Sequence, residues 1–153
     1  MLIRDIVQNK GADVHAIGPS ASCDDVVTEL VRHNIGSLLV RDGPDGPILG
    51  IVTERDILRA QAAHRAALEH LRVTAVMSTE LITADAEDDM LVAMRLMTTH
   101  RIRHLPVIHG DALFGIVSIG DIVKTHHDQL EMENHYMRSY IQGEGAEVAT
   151  PLT

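Results

Sequence analysis

The sequence is short of aromatic residues, of cysteine and of long apolar runs. Among 153 residues there is no tryptophan, one phenylalanine and two tyrosines, so any core must be built from Val, Ile, Leu, Met and Ala. The β-branched members suit strands, and Leu, Met and Ala suit helices. A single cysteine, Cys23, excludes an intrachain disulfide framework and fits a reducing compartment. It reads as a small packing residue rather than a nucleophile. No apolar run approaches the roughly 18 residues that cross a membrane. The opening MLIRDIVQNKG has no hydrophobic stretch leading to a small-residue cleavage site, so a cytoplasmic location is expected. The net charge of −9 comes without any block of Lys or Arg, which excludes a phosphate-backbone surface and hence nucleic acid as a partner. Also missing are a Gly-x-Ser-x-Gly elbow, a P-loop and a metal-ligand run, so neither catalytic residues nor a metal are expected. Ten histidines do not change this. His127 and His135 lie two helical turns apart, too far to share an ion, and no Cys completes a zinc set.

What is present is a phrase written twice. GIVTERDIL spans residues 50–58 and GIVSIGDIV spans residues 115–123. Their surroundings match as well. Val40 corresponds to Val107 at an offset of 67, and Gly50 to Gly115 at 65. The two-residue change falls between RDGPDGP and IHGD, in a turn, where length changes are tolerated. In each copy apolar residues recur at helical spacing: Val26, Val27, Leu30 and Val31 in one, Leu91, Met94 and Met97 in the other. Short aliphatic strands follow at Leu38–Val40 and Leu105–Ile108, then a Gly/Asp turn, then strands at Ile48–Val52 and Leu113–Val117. Thr53 and Ser118 end those strands, and Asp56 and Asp121 stand three residues on. That spacing predicts a hydroxyl N-cap with an acidic first turn. The same arrangement is a good anion and sugar site, because a helix start offers unpaired N–H groups and a carboxylate can accept two ribose hydroxyls. Both readings stand at this level.

Between the repeats, ERDILRAQAAHRAALEHL (54–71) reads as one long helix with Ile57, Leu58, Ala62, Leu68 and Leu71 as a packing stripe. After the second phrase, DIVKTHHDQLEMENHYMRSYIQGEG reads as a helix closed near Gly143. Val123, Leu130 and Met137, seven apart, suggest a partial heptad seam suited to packing across a dimer or back onto the domain. The expected organisation is a first repeat at 1–60, a connecting helix or linker at 61–71, a second repeat at 72–125, a C-terminal helix at 126–142 and a flexible tail at 143–153.

These residues carry a family resemblance. The two repeats resemble cystathionine-β-synthase-type (CBS) domains, and together a stand-alone CBS pair, or Bateman module, over about residues 2–59 and 72–124. GIVTERDI, GIVSIGDI and IRHLPV (102–107) are its most specific parts. The resemblance implies an α/β (α+β) fold of two pseudo-symmetric β-α-β-β-α repeats packed through their sheets, plus the C-terminal helix. It implies clefts that commonly hold AMP, ADP, ATP, NAD or S-adenosylmethionine. Thr53 and Ser118 would then contact phosphate, and Asp56 and Asp121 the ribose hydroxyls. Arg103 and His104 would lie against phosphate, and His15 and Ile82 would frame the adenine. The first repeat departs from this pattern, with small, uncharged Gly36 and Ser37 in place of Arg103 and His104. Phosphate binding by that half would need Arg55 or charge from the other half. The implied function is regulatory, not enzymatic: an adenosine ligand (AMP foremost, NAD(H) or ATP as others) signals through a conformational or homodimer change to a regulated protein. The alternative is a constitutive dimerisation scaffold with vestigial clefts.

Overall fold

The structure is a computed structural model that describes residues 1–11, 13–65 and 67–144. Element order is α1 (Ile3–Lys10), β1 (Ala16–Ile17), α2 (Cys23–His33), β2 (Ser37–Arg41), β3 (Ile48–Thr53) and α3 (Glu54–His64). Two 3-10 turns, Leu68–His70 and Val73–Ala75, connect to β4 (Ala84–Asp85), α4 (Met90–His100), β5 (His104–His109), β6 (Ala112–Ser118) and α5 (Ile119–Ser139). The strands form two three-stranded sheets, β1-β2-β3 and β4-β5-β6. In each, a parallel pair is followed by an antiparallel hairpin, and the registers correspond: Ile17 pairs with Val40 as Ala84 pairs with Val107. The mixed α/β fold with a C-terminal helix is therefore as expected.

Each repeat closes its own helices with short-range chemistry. Ser22 caps α2 and Asp89 caps α4, accepting from Asp25 N at 3.1 Å and from Leu91 N at 2.9 Å. Such a cap contributes about 1 kcal/mol. Both helices end in the left-handed region, at Asn34 (φ 51°) and Arg101 (φ 55°). Cores form on the helix side of each sheet. Cys23, Val26, Leu30, Leu38, Val40, Val52 and Ile57 fill the first, and Met90, Ala93, Met97, Leu105, Val107, Val117 and Ile122 the second. Cys23 is fully buried and its thiol is pushed up by that burial, so it packs rather than reacts.

The two halves exchange their leading segments. By chain order α1 opens the first repeat, yet Ile3, Ile6 and Val7 lie in the core of the second, among Ala84, Leu105 and Val117. Ile3 N donates to Asp88 O and Met90 N to Met1 O, both at 2.9 Å. Reciprocally, Val73 joins the first core, with Val73 N donating to Ala21 O at 2.9 Å and Cys23 N to Leu71 O at 2.7 Å. Burying Ile3, Ile6 and Val7 contributes roughly 1.5–3 kcal/mol each, so neither half is complete without the other. The exchange also explains the glycine that opens the repeated phrase. A Cβ on Gly115 would lie 2.5 Å from Val7 Cγ1, and one on Gly50 would lie 2.7 Å from Ser78 O. Ser78 forms a two-way backbone bridge with Ile51 (2.9 and 3.0 Å), so that strand must admit a neighbouring backbone.

Several expected details differ. The helix after Thr53 does not run to residue 71 but stops at His64, because Arg65 turns left-handed (φ 50°) and caps it. The chain must turn there to deliver Leu71 to Cys23. Leu58 (70% exposed) and Ala62 consequently face solvent, and Ile57 and Ala60 do the packing. On α2 and α4 the expected Val31 and Leu91 are also exposed, at 75% and 60%. Met90 and Ala93 take the place of Leu91, since the buried stripe of α4 begins one residue earlier. The C-terminal helix is continuous with the helix of the second phrase. α5 begins at Ile119, and a π-helical turn, Tyr140–Glu144, carries it past Gly143. The tail beyond residue 144 lies outside the described residues.

Candidate functional site

Thr53 and Ser118 are N-caps, as their spacing predicts. Asp56 N donates to Thr53 Oγ1 at 3.3 Å, and Thr53 N donates back to Asp56 Oδ2 at 2.9 Å. Asp121 N donates to Ser118 Oγ at 3.1 Å, and Ser118 N to Asp121 Oδ2 at 2.8 Å. These are reciprocal capping boxes, which hold both carboxylates in one orientation. Each box uses Oδ2 alone. Among the described residues neither Oδ1 has a hydrogen bond. Capping thus engages one oxygen of each carboxylate and leaves the other unused.

The sheets meet through the faces turned away from their helices. Leu39 is fully buried outside both helix-side cores, and Ser37 beside it is 7% exposed. Where they meet, two clefts open, and each draws its walls from both repeats. The first, of about 170 Å³, gathers Thr53, Asp56 and Arg55 from repeat one with Ile82, Arg103 and His104 from repeat two. The second, of about 290 Å³, gathers Ser118 and Asp121 with His15, Gly36 and Ser37. All ten expected residues fall in these two places, crossed between repeats. Arg103, which sequence order groups with Ser118, lies with Thr53. The small residues Gly36 and Ser37 lie with Ser118. Backbone geometry underlines the equivalence: Glu54 N donates to Gly36 O at 3.1 Å, and Ile119 N to Arg103 O at 2.8 Å.

Charge divides the clefts. The Thr53 cleft carries Arg55, Arg59, Arg101 and Arg103 against Glu54, Asp56 and Glu80. The Ser118 cleft carries Lys10 against Asp13 and Asp121, with His15 stacked on His33 at 3.9 Å between ring centroids. Lys10 Nζ lies 2.6 Å from Asp121 Oδ2. Burial alone would push the Asp121 carboxyl up, but the Lys10 ammonium and the Ser118 amide outweigh it and hold the carboxyl below its usual range. His104 lines both clefts. Its ring lies over Gly36, where a Cβ would come within 2.9 Å of Nε2, so a larger residue there would displace it. Burial pushes the imidazole below its ordinary value, against the opposing pull of Glu54.

Sequence reasoning did not single out Lys10, Glu80, Arg59 or Arg101. The leading segments supply the first two: Val7 and Met77 pack on the repeated glycines, and three positions on from each stand Lys10 and Glu80. Aligning those leaders would have paired the residues, but only folding places each in the cleft of the other repeat. Of the two sources of charge expected for the first repeat, Arg55 and the other half, both meet in the Thr53 cleft as Arg55 and Arg103, while the cation beside Gly36 is Lys10.

The CBS domain model matches the chain twice, over residues 3–63 and 73–128. A CBS domain-containing protein of Arabidopsis thaliana, CBSX3, described as mitochondrial, is 36% identical over 148 residues, covering 92% of this chain and 72% of its own. The CBS domain-containing protein YhcV of Bacillus subtilis is 34% identical over 110 residues, covering 71% of this chain and 76% of its own. Among solved structures, a CBS-domain containing protein from Agrobacterium tumefaciens superposes with a TM-score of 0.79 at 36% identity, covering 82% of this chain and 99% of its own.

Proposed function

The chain belongs to the CBS-domain family, and from that premise we propose that it is a sensor of adenosine ligands. Proteins of this family are generally regulatory, non-catalytic modules that bind such ligands. In the proposed role the ligand is an adenosine nucleotide, whether AMP, ADP, ATP or NAD(H), held through the same kinds of contact in either cleft. Asp56 and Asp121 take the ribose hydroxyls, Thr53 and Ser118 with the neighbouring cations take phosphate, and Ile82 and His15 wall the base. Binding changes the placement of the halves, or of two copies, and a regulated protein reads the change. A ligand shifts such an equilibrium only by its differential affinity for the two arrangements.

The observation that carries this reading is the crossed construction of the clefts. A capping carboxylate with one oxygen to spare faces strand-entry residues of the other repeat, so an occupant touches both repeats at once. A homodimer fits the exposed apolar residues Leu58 and Val123, at matching positions on α3 and α5. No helix among the described residues is long and apolar enough to cross a membrane, and a cytoplasmic location is part of the proposal. The test is a thermal-shift panel with AMP, ADP, ATP, NAD+, NADH and S-adenosylmethionine. A ligand at a hundredfold excess over its dissociation constant adds about 2.7 kcal/mol of stability. That shift is expected in the wild type and lost in Asp56→Asn/Asp121→Asn, which keeps an acceptor for the caps. No shift in ligand-free protein would favour the second reading, a constitutive scaffold. The exposed Leu130 and Met137 on α5, with Ile141 in the π-helical turn that follows it, support that alternative.

A further inference from the structure

We propose that the clefts are not interchangeable: the Thr53 cleft takes a nucleoside di- or triphosphate, and the Ser118 cleft takes a nucleoside bearing at most one phosphate. The inference rests on the adenosine-ligand reading and assigns a ligand class to each half of it.

The argument compares equivalent positions. Three guanidinium groups of the Thr53 cleft, Arg55, Arg101 and Arg103, have neutral counterparts in the other repeat: Gly120, Asn34 and Gly36. The equivalence is structural. Asn34 and Arg101 both end a helix in the left-handed region, at φ 51° and 55°. Gly36 and Arg103 both accept a hydrogen bond from the first residue of the following repeated helix. Arg101 is the telling member. Asparagine tolerates a positive φ, whereas arginine there is strained by on the order of 1 kcal/mol. Its side chain nevertheless lines the Thr53 cleft.

Guanidinium groups grip phosphate oxygens in pairs, and a second or third phosphate needs further donors in a row. The Thr53 cleft has four guanidinium groups, which exceed its three carboxylates, Glu54, Asp56 and Glu80. The Ser118 cleft has one ammonium, Lys10, already 2.6 Å from Asp121, and Asp13 adds another negative charge. Lys10 can turn from Asp121 to one phosphate, but among the described residues no second lysine or arginine lines that cleft, and Lys124, which stands where the Thr53 cleft has Arg59, is not part of its wall.

The test is titration calorimetry on the full chain with ATP, AMP and inorganic tripolyphosphate, at two salt concentrations. In the wild type ATP is expected to bind at least about tenfold more tightly than AMP, with the steeper salt dependence, since exposed charges at this range are screened. Arg101→Asn/Arg103→Gln should bring that ratio under about threefold. Asn at 101 matches Asn34, so the helix end should fold unchanged. Lys10→Gln should weaken AMP and thereby widen the ratio. Equal weakening of ATP and AMP by the arginine pair, or no change in their ratio, would overturn the assignment. Tripolyphosphate separates the two levels. If it binds through Arg101 and Arg103 while no adenosine compound binds, the polyphosphate cleft stands and the adenosine reading fails. If neither binds, both fail.

Discussion

The exchange of leading segments can be tested without any ligand, at the contact between Val7 and Gly115. Val7 is fully buried in the second core, and a Cβ on Gly115 would sit 2.5 Å from its Cγ1. Carbon contacts are most favourable at about 3.5–4.0 Å, so Gly115→Ala overpacks the site. Overpacking destabilises by about 1–3 kcal/mol. Removing glycine flexibility from the unfolded chain returns up to about 1 kcal/mol, leaving a net loss of roughly 1–2 kcal/mol. Val7→Ala removes two methyl groups, about 0.8 kcal/mol each, and leaves a small cavity, for a loss of about 2 kcal/mol. In the double variant the new methyl enters the space vacated by Cγ1. Its loss should be about 2 kcal/mol, where addition would give 3–4, a coupling of about 1–2 kcal/mol. Urea unfolding of the four proteins reads this directly, and thermal melting reads it at roughly 2–4 °C per kcal/mol. Losses that add within about 0.5 kcal/mol would refute the packing of α1 on the second sheet.

Two other expectations follow from the same geometry. His104 is held below its ordinary pKa by burial, so the unfolded chain binds more protons on the acid side of about 6.5, and stability should fall as pH drops from there toward the folded value. His104→Gln should flatten part of the decline in urea midpoint between about pH 6.5 and 5, and an unchanged slope would count against a buried neutral imidazole. If two copies pack through α3 and α5, Leu58→Glu/Val123→Glu should yield a monomer by light scattering with little loss of stability, because both side chains are already exposed. A dimer surviving that change would place the interface elsewhere.

Much of the fold was legible because it rests on near neighbours. Capping boxes at Thr53 and Ser118 need only a hydroxyl and a carboxylate three residues apart, and the hairpins need only aliphatic runs around a Gly/Asp turn. Duplication made both visible twice. Exposure was less legible. Val31, Leu58 and Leu91 obey helical spacing but sit just off the buried stripe, and periodicity does not fix a stripe's edge to one residue. The end of α3 depended on Arg65 turning left-handed, in a stretch rich in helix formers.

The sequence by itself determined the repeat, its strands and helix starts, and through the family resemblance it carries it pointed to the ten residues that gather at the clefts. Only the tertiary structure decided how they are shared out. It set Arg103 opposite Thr53, carried Lys10 across to Asp121, and gave each repeat the other's leading segment for its core. The physical reason is range. A cap or a hairpin is closed by atoms a few residues apart, whereas the clefts exist only where two sheet faces meet. Which side chains oppose one another there is settled by burying Leu39, Val7 and Val73 together, a long-range requirement that no local pattern encodes.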